Sequence, residues 1–393
     1  MNTTTTEKPD TLTGAILSVV GARPNFMKIA PIIRAYRAAP DPIHTRLVHT
    51  GQQYEAKMND AFFTQLQIPQ PDIELGVGSA SHAVQTAEIM RQFEPVVDAE
   101  QPSAVLVVGD VNSTIACALV AAKKNIPVIH VEAGLRSFDR AMPEEINRVL
   151  TDQISTLLFT TEPAARENLL REGVEDRQIH FVGNVMIDTL KHSLEQSVPA
   201  AKTLAGLPGR ELFLDGGSGY CVLTLHRPSN VDEPRVFRQL LETVRTVSEK
   251  LPVVFPLHPR TRKRIDELGL QELLESERIA CLPPLGYLEM LGLLSTARLV
   301  MTDSGGLQEE TTVVGVPCIT LRNNTERPVT VEQGTNTIVG QDRAQILAVV
   351  NEVLANGGKR GRVPELWDGQ AAERIKRVLN EWLQQRAPLV ATG

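Results

Sequence analysis

Short apolar runs rich in β-branched residues alternate with helical patterns along almost the whole of this 393-residue chain. This alternation is typical of a parallel sheet that is covered by helices on both faces. Because one domain commonly takes roughly 150 residues, the length favours two such sheets over one. The sequence therefore predicts an α/β protein with two doubly wound, Rossmann-like halves.

The apolar runs predict where the strands of each half lie. In the first half they fall at 15–20, 46–50, 104–109, 128–131, 157–161 and 179–182, and in the second half at 220–225, 253–257, 279–282, 299–302 and 318–321. Between the halves, the segment 194–219 lacks a clean period and carries several Pro and Gly residues, which predicts a domain connection. A last helical pattern at 370–385 could pack on either half.

Composition and charge exclude several function classes. The net charge is -7, from 40 basic and 47 acidic residues, and only 4% of residues are aromatic. A general nucleic-acid binder needs a basic field and stacking rings, so nucleic acid is not expected as a partner. The 4 cysteines form no CxxC pair that would suggest a zinc or redox site. No apolar run approaches the roughly 18 residues that span a bilayer, so we expect a cytoplasmic protein without membrane insertion.

The first candidate binding motif follows the first predicted strand. There the chain reads Gly21-Ala22-Arg23-Pro24-Asn25, and the helix predicted after it carries Lys28. A Gly turn at a strand end brings backbone N–H groups and two cations to one edge, which suits a phosphate. An ordinary strand-turn-helix connection fits the same residues. Neither GxGxxG nor GxxxxGK[ST] occurs, so a dinucleotide site and a Walker-type site lose their best evidence.

Three carboxylates follow predicted strands or begin a helix in the first half. Asp110 and Glu132 come directly after neighbouring strands, and Glu144 lies in the first turn of a helix that Pro143 begins. Taken singly, Asp110 could cap a helix and Glu144 could answer a helix dipole. Clustered acids, however, raise one another's pKa and provide general acids and bases. A divalent metal is the rival use, although no DxD or EF-hand spacing occurs.

In the second half, basic and hydrogen-bonding residues follow the strands. His226 and His258 each end a predicted strand, next to Arg227 and Arg260, and suit a phosphate or a leaving group, although a histidine after a strand is often structural. A helix is predicted to start after the strand 299–302, with either Asp303 or Ser304 as its cap. Its first turn contains Gly305 and Gly306, whose backbone N–H groups, with no Cβ in the way, could bind a diphosphate. Glu310 could accept from ribose hydroxyls, and Arg327 returns one more guanidinium to the same edge.

Taken together and in this order, the motifs resemble the non-hydrolysing UDP-N-acetylglucosamine 2-epimerases. The matching elements are GARPNFMKIAP, GDVNST, HVEAGLRS, MPEEINR, VGNVMID, TLHRPSN, TDSGGLQEE and TERP. The resemblance implies a fold similar to the GT-B glycosyltransferases, with a deep interdomain cleft. It further implies that residues 1–193, with the helix at 370–393 packing back on them, form one domain and residues 194–369 the UDP-binding domain.

The resemblance implies conversion of UDP-GlcNAc to UDP-ManNAc through elimination and re-addition of UDP, without NAD or metal. A 2-acetamidoglucal would be the intermediate. Catalysis is expected from Asp110, Glu132, Glu144 and His226. Substrate binding is expected from Arg23, Lys28, Arg148, His258, Leu285, Met290, Ser304, Gly305, Gly306, Glu310 and Arg327. The segment from Leu285 to Met290 would be the uracil slot, acting through backbone groups because its residue types differ from the enterobacterial pattern.

One motif departs from the family pattern. Relatives read TGQHYD or TAQHR where this chain has Thr50-Gly51-Gln52-Gln53-Tyr54, so Gln53 replaces a histidine. In some bacterial members this loop helps to bind a second, activating UDP-GlcNAc, and the sequence does not predict that use for this chain. A homodimer is expected. Three alternatives stay open: an epimerase of a 2,3-diacetamido uronic acid nucleotide, a GT-B glycosyltransferase, and a nucleotide-sugar sensor. The set of three carboxylates and His226 argues against the last two, which need fewer acids and bases.

Overall fold

The computed structural model describes residues 14–52, 65–214, 217 and 219–390, with the side chains of 23 and 387–390 left out. The chain divides into two compact units. The first unit comprises the chain up to residue 135, residues 139–185 and the chain from residue 370. The second comprises residues 136–138 and 186–369. The sequence-based boundary between 193 and 194 falls inside the helix Val185–Leu194.

The first unit is built on a parallel sheet. Its strands are β1 (Ile16–Val20), β2 (Thr45–His49), β3 (Ile73–Glu74), β4 (Ala104–Val108), β5 (Val128–Ala133), β6 (Leu157–Thr160) and β7 (Ile179–Phe181). Within the described residues they lie in the order β3-β2-β1-β4-β5-β6-β7, and every pairing is parallel. All residues of β1, β4 and β5 are buried, as expected for strands with helices on both faces.

Helices cover this sheet and bury its apolar faces. They are α1 (Arg23–Arg37), α2 (His82–Glu100), α3 (Asn112–Lys123), α4 (Pro143–Gln153), α5 (Pro163–Arg171) and, at the far end of the chain, α16 (Ala371–Val390). Helix α16 packs against α1. There the buried Lys376 amine donates to the carbonyl oxygens of Ala38, at 2.5 Å, and Pro40, at 2.9 Å. Among the described residues, none of the helices combines the length and the apolar composition needed to cross a membrane.

The second unit repeats the architecture. Its strands are β8 (Cys221–Thr224), β9 (Val253–Pro256), β10 (Ile279–Leu282), β11 (Leu299–Thr302), β12 (Cys318–Thr320) and β13 (Asn336–Ile338). They are parallel, in the order β10-β9-β8-β11-β12-β13 among the described residues. Its helices are α6 (Val185–Leu194), α7 (Ala200–Thr203), α8 (Glu211–Leu214), α9 (Pro228–Val231), α10 (Pro234–Ser248), α11 (Pro259–Leu268), α12 (Tyr287–Thr296), α13 (Gly305–Val314), α14 (Pro328–Glu332) and α15 (Arg343–Asn356).

The predicted α/β class with two doubly wound parallel sheets is confirmed. The sequence analysis missed β3 and β13, and it placed the ends of several strands one residue too far. In each sheet the strand order reverses once, at β1/β4 in the first and at β8/β11 in the second. In open α/β sheets ligands bind beside the carboxyl ends of the strands at such a reversal. The loops after these four strands are therefore the place to look for a site in each unit.

Candidate functional site

In the first unit, Asn25 joins the turn after β1 to the end of β4. Its side-chain oxygen accepts hydrogen bonds from the backbone nitrogens of Gly21, at 3.1 Å, and Ala22, at 3.0 Å. Its amide nitrogen donates to the Val108 carbonyl oxygen at 3.0 Å. Arg23 is the first residue of α1, and its side chain lies outside the described part of the structure. The reversal point of the sheet is thus fixed by a buried asparagine that the sequence analysis did not single out.

Lys28 and Glu132 form an ion pair inside this unit, and each residue is only 5% exposed. The amine also lies against the turn after β4, because a Cβ built on Gly109 would come within 2.7 Å of the Lys28 Nζ. Gly109 has φ 67, a left-handed conformation that glycine adopts without strain. A buried carboxylate is stable only when its charge is balanced. Lys28 supplies that balance at the position where the sequence analysis expected a substrate contact.

Glu132 lies within a strand rather than after one, which corrects the sequence-based placement. Strand β5 extends to Ala133, and its pairing with β6 shifts between Val131 and Ala133. Glu132 is the extra residue of this bulge, and its φ of 72 is a left-handed conformation that a residue with a Cβ adopts at a cost. The apolar pattern ended at Val131 because the next residue of the strand is a charged, though buried, glutamate. The strained backbone aims the carboxylate at Lys28.

Asp110 is held by Arg148 rather than capping a helix. Val111 is the N-cap of α3, and Asp110 Oδ2 accepts from Arg148 at 2.5 Å. The other arm of the same guanidinium donates to Glu145 Oε2 at 2.7 Å. Arg148 is 3% exposed, while the Asp110 side chain keeps 25% of its surface exposed. Arg148, expected to bind substrate, therefore orients a partly exposed carboxylate.

Pro143 begins α4, and Glu144 lies half-buried in its first turn, as the sequence predicted. The Arg148 that reaches Asp110 belongs to this helix, and the Lys28 that pairs with Glu132 lies against the Gly109 turn. The segments that carry all three predicted carboxylates are thus tied together by two buried cations. Such a cluster can take up and deliver protons.

In the second unit, His226 and Asp303 follow β8 and β11. Oxygens of the fully buried Asp303 accept from the backbone nitrogens of His226 and Arg227, both at 2.9 Å, and from Asn230 at 3.1 Å. The Nδ1 of His226 lies 2.8 Å from Asp303 Oδ1. Burial alone would raise the pKa of the Asp303 carboxyl, but the His226 imidazole and these N–H donors outweigh it and lower the pKa below its ordinary value.

An ionised Asp303 only accepts hydrogen bonds, so the proton between the two residues belongs to Nδ1 of His226. The Nε2 of His226 is then the nitrogen that can exchange a proton with a ligand, and 37% of this side chain is exposed. The sequence analysis considered Asp303 as a helix cap, whereas the structure makes it the partner that fixes the histidine tautomer.

His258 is the N-cap of α11, and its Nδ1 accepts from the backbone nitrogen of Arg260 at 3.2 Å. Its ring centroid lies 5.9 Å from that of His226. The two predicted imidazoles are therefore neighbours at one sheet edge. The Arg260 side chain forms an exposed ion pair with Asp232 instead of joining them.

Ser304 is the N-cap of α13, but its side chain makes no capping hydrogen bond. Its backbone nitrogen donates to Thr302 Oγ1 at 2.9 Å. Gly305 packs tightly, because a Cβ there would lie 2.5 Å from an Arg327 nitrogen and 2.8 Å from Glu326 Oε1. The first N–H groups of a helix have no partner within the helix and attract anions. The start of α13 therefore offers the backbone N–H groups that the sequence analysis expected to bind a diphosphate, and that role stays a prediction.

Arg327 belongs to a buried charge cluster beside the start of α13. Its Nε lies 2.7 Å from Glu309 Oε1, and another guanidinium nitrogen donates to Glu326 Oε1 at 2.5 Å. The second oxygen of Glu326 accepts from Arg322 at 2.9 Å. Glu309, Glu326, Arg322 and Arg327 are each at most 7% exposed. Paired arginines and carboxylates hold α13 in place, so the structure shows Arg327 in an anchoring position, and its binding role stays a prediction.

The expected nucleoside residues lie around α12. Burial raises the pKa of the Tyr287 hydroxyl well above its ordinary value, and the negative charge of the neighbouring Glu310 carboxylate raises it further. Glu310 is itself buried in α13. Leu285 and Met290 pack against the apolar cluster beneath, which leaves backbone groups as the ligand contacts they can offer. The predicted activator loop at Gln53 lies outside the described residues.

Comparison with known proteins finds a matching family and several similar proteins. A family model described as UDP-N-acetylglucosamine 2-epimerase matches residues 35–380. A UDP-N-acetylglucosamine 2-epimerase from Methanocaldococcus jannaschii is 42% identical over 364 residues, covering 92% of this chain and 97% of that protein. A UDP-2,3-diacetamido-2,3-dideoxy-D-glucuronate 2-epimerase from Pseudomonas aeruginosa is 41% identical over 335 residues, covering 84% of this chain and 90% of that protein.

Solved structures of similar proteins have the same fold. The crystal structure of the Methanocaldococcus jannaschii UDP-GlcNAc 2-epimerase, in complex with UDP-GlcNAc and UDP, matches with a TM-score of 0.83 and 41% identity. The match covers 93% of this chain and 99% of that one.

Proposed function

Because this chain belongs to the UDP-N-acetylglucosamine 2-epimerase family, we propose that it interconverts UDP-GlcNAc and UDP-ManNAc by elimination and re-addition of UDP. Members of this family are isomerases. The observation that carries the mechanism is the set of carboxylates tied together by Lys28 and Arg148. A module that only binds a nucleotide sugar has no use for acids arranged in this way.

The proposed reaction begins with loss of the C2 proton. One carboxylate of the first unit takes the proton, the C2–H electron pair forms a C1–C2 double bond, and the C1–O bond to UDP breaks with its electrons. The products are a 2-acetamidoglucal and free UDP. An acid then returns a proton to the opposite face of C2 while a β-phosphate oxygen of UDP adds to C1. Asp110, Glu132 and Glu144 are the proposed acids and bases, and the overall sequence needs neither an oxidant nor a metal.

The second unit would hold UDP during these steps. The N–H groups over Gly305 and Gly306, with Ser304, are proposed to bind the diphosphate, and Glu310 the ribose. His226, with Nδ1–H held by Asp303, offers Nε2 to the departing phosphate oxygen. An imidazole that carries a proton there would stabilise the charge that develops on the leaving group. Arg23, His258 and Arg327 are proposed to complete the cationic surroundings of the diphosphate.

A second candidate substrate is a 2,3-diacetamido glucuronate nucleotide. The Pseudomonas aeruginosa relative named for that sugar is about as similar to this chain as the Methanocaldococcus jannaschii relative named for UDP-GlcNAc. The two sugars share the C2 proton and the UDP leaving group, so the same carboxylates would serve both. The difference lies at C3 and C6, where the substrate carries an added acetamido group and a carboxylate.

Purified protein incubated separately with each UDP-sugar, in the presence of EDTA, decides between these substrates. NMR spectra of the sugar anomeric region would show the new epimer forming, with kcat/KM highest for UDP-GlcNAc. A clear preference for the diacetamido uronate would move the assignment to the second candidate. Release of free sugar and stoichiometric UDP would instead indicate a hydrolysing enzyme.

We further propose that the protein is a homodimer, testable by light scattering, and that its product supplies ManNAc units for cell-surface polysaccharide.

A further inference from the structure

A buried histidine-aspartate pair lies beneath the carboxylates of the first unit. His130 in β5 is 0% exposed and Asp152 in α4 is 1% exposed. The Nδ1 of His130 lies 2.7 Å from Asp152 Oδ1, and its Nε2 lies 2.8 Å from the Gly109 carbonyl oxygen. Asp152 Oδ2 accepts from the backbone nitrogen of Gly134 at 3.1 Å. None of these groups has a role in the proposed reaction.

The hydrogen positions follow from the partners. A carbonyl oxygen only accepts, so Nε2 of His130 carries a hydrogen that it donates to Gly109. A contact of 2.7 Å between Nδ1 and a carboxylate oxygen in a fully buried site also requires a hydrogen between them. His130 therefore donates to the Gly109 loop, and Asp152 accepts from the Gly134 loop. Both hydrogen bonds form whether the shared hydrogen belongs to His130 or to Asp152.

The backbone groups held by this pair adjoin the reacting carboxylates. Gly109 immediately precedes Asp110, and Gly134 is the second residue after Glu132 in the bulged strand. Asp152 itself belongs to α4, whose first turn carries Glu144. One buried pair thus connects the three segments on which the proposed acids and bases lie. Because both residues are enclosed, they act on the reaction only through those segments.

We propose that His130 and Asp152 are positioning residues that hold the Asp110 turn, the Glu132 bulge and helix α4 in register for proton transfer. This proposal rests on the proposed function, since the reaction is what the positioning serves. Proton transfer needs donor and acceptor within hydrogen-bond reach. A misplacement of about 1 Å can cost roughly 100-fold in rate. Loss of this pair is therefore expected to lower kcat while leaving UDP binding, assigned to the other unit, largely unchanged.

The matched variants are Asp152→Ala, Asp152→Asn and Val105→Ala. An asparagine can donate to Nδ1 from its amide nitrogen and accept from Gly134 with its amide oxygen, so it replaces each hydrogen bond of the carboxylate. Val105 lies in β4, fully buried and at the opposite end of the strand from Gly109, and its truncation controls for loss of stability alone. All three are compared at a temperature where each is folded by circular dichroism.

We expect Asp152→Ala to lower kcat at least tenfold, with KM and the Kd of UDP within about threefold of the unmodified protein. Asp152→Asn is expected to recover at least a third of kcat, and Val105→Ala to retain kcat despite a similar loss in Tm. The proposal is overturned if Asp152→Ala retains kcat, if Val105→Ala loses as much, or if Asp152→Asn recovers nothing.

Amide hydrogen exchange gives a readout that does not depend on the reaction. Peptides covering 109–114 and 130–136 are expected to exchange faster in Asp152→Ala than in the other two variants, and unchanged exchange there would overturn the proposal. If the unmodified protein turned over no UDP-sugar at all, the proposed function would fail. The exchange pattern would still decide whether the pair holds these loops.

Discussion

The Nδ1 of His226 lies 2.8 Å from the buried Oδ1 of Asp303, and the two residues follow the adjacent strands β8 and β11 at which the second sheet reverses its order. The carboxylate also accepts from the backbone nitrogens of His226 and Arg227. A single aspartate thus sets both the loop and the tautomer of the imidazole. The proposed leaving-group role of His226 depends on this arrangement, because only Nε2 remains to face a ligand.

Replacing Asp303 with Asn should remove the fixed tautomer. An asparagine amide can donate to Nδ1, so Nδ1 would then accept, and the ring would lose the carboxylate charge that supports an imidazolium protonated on both nitrogens. We expect kcat to fall by about 100-fold or more, the range typical of a lost acid-base contribution. Steady-state kinetics would measure it, with Asp232→Asn, in an exposed ion pair of the same unit, as the control expected to leave kcat unchanged. Equal kcat in Asp303→Asn and the unmodified protein would contradict the proposed role.

The same aspartate should contribute to acid stability. Its pKa is lower in the folded chain than the ordinary value of about 3.9 that it regains on unfolding. A group of this kind stabilises the fold above its unfolded pKa, and that contribution is lost as the pH falls through the folded pKa. Urea unfolding at pH 6, 4 and 3 should therefore show the free-energy gap between the unmodified protein and Asp303→Asn shrinking toward low pH. A gap that widens on acidification would show the opposite sign of linkage.

Lys28 and Glu132 should stabilise the first unit only as a pair. Removing one partner of a buried ion pair leaves an uncompensated charge and typically costs about 3–5 kcal/mol. We expect Lys28→Met to lower the free energy of unfolding by about that amount and Lys28→Met with Glu132→Gln to restore most of it. Turnover should stay lost in the double variant, because the proposed acid or base is gone. Denaturant unfolding and kcat together test this, and a double variant as unstable as Lys28→Met would argue against a balanced pair.

Two neighbouring glycines should respond differently to alanine. A Cβ at Gly305 would meet Arg327 and Glu326 at 2.5 Å and 2.8 Å, whereas the one described residue within 4 Å of a Cβ at Gly306 is Met186, at 3.7 Å. Gly305→Ala should therefore lose about 1–3 kcal/mol through overpacking. Gly306→Ala should keep its Tm and weaken UDP binding about tenfold or more, because its methyl group would occupy the diphosphate position. Differential scanning fluorimetry and UDP titration would separate the two effects. Unchanged UDP affinity in Gly306→Ala would contradict diphosphate binding at the start of this helix.

Apolar periodicity predicted the strands that are buried on both faces, and Ile279–Leu282 and Leu299–Thr302 have the predicted bounds. It missed Ile73–Glu74 and Asn336–Ile338, which are too short to form an apolar run. The latter is polar because Asn336 is buried in a hydrogen-bonded network with Gln308, Thr320 and Thr330. Short edge strands take their conformation from the neighbouring strand rather than from their own residues.

The sequence located the motifs but not their internal partners. The alternating pattern implied that the functional side chains lie at or near strand ends, as Asp110, Glu132 and His226 do. Their partners follow only from tertiary packing: Arg148 for Asp110, Lys28 for Glu132 and Asp303 for His226. Spacing along the chain carries no information about contacts across 38 or 77 residues. The bulge at Glu132 was equally hidden, since a left-handed non-glycine residue has no sequence signature.

The most direct test of the account is exchange of the C2 hydrogen of UDP-GlcNAc in D2O, followed by NMR, with no NAD or metal added and with EDTA present. We predict that deuterium appears at C2 and that UDP-ManNAc accumulates to equilibrium, while Asp110→Asn loses both and still binds UDP. Formation of UDP-ManNAc with the C2 hydrogen fully retained, or neither exchange nor epimer with the unmodified protein, would contradict the proposed proton transfer by the carboxylates of the first unit.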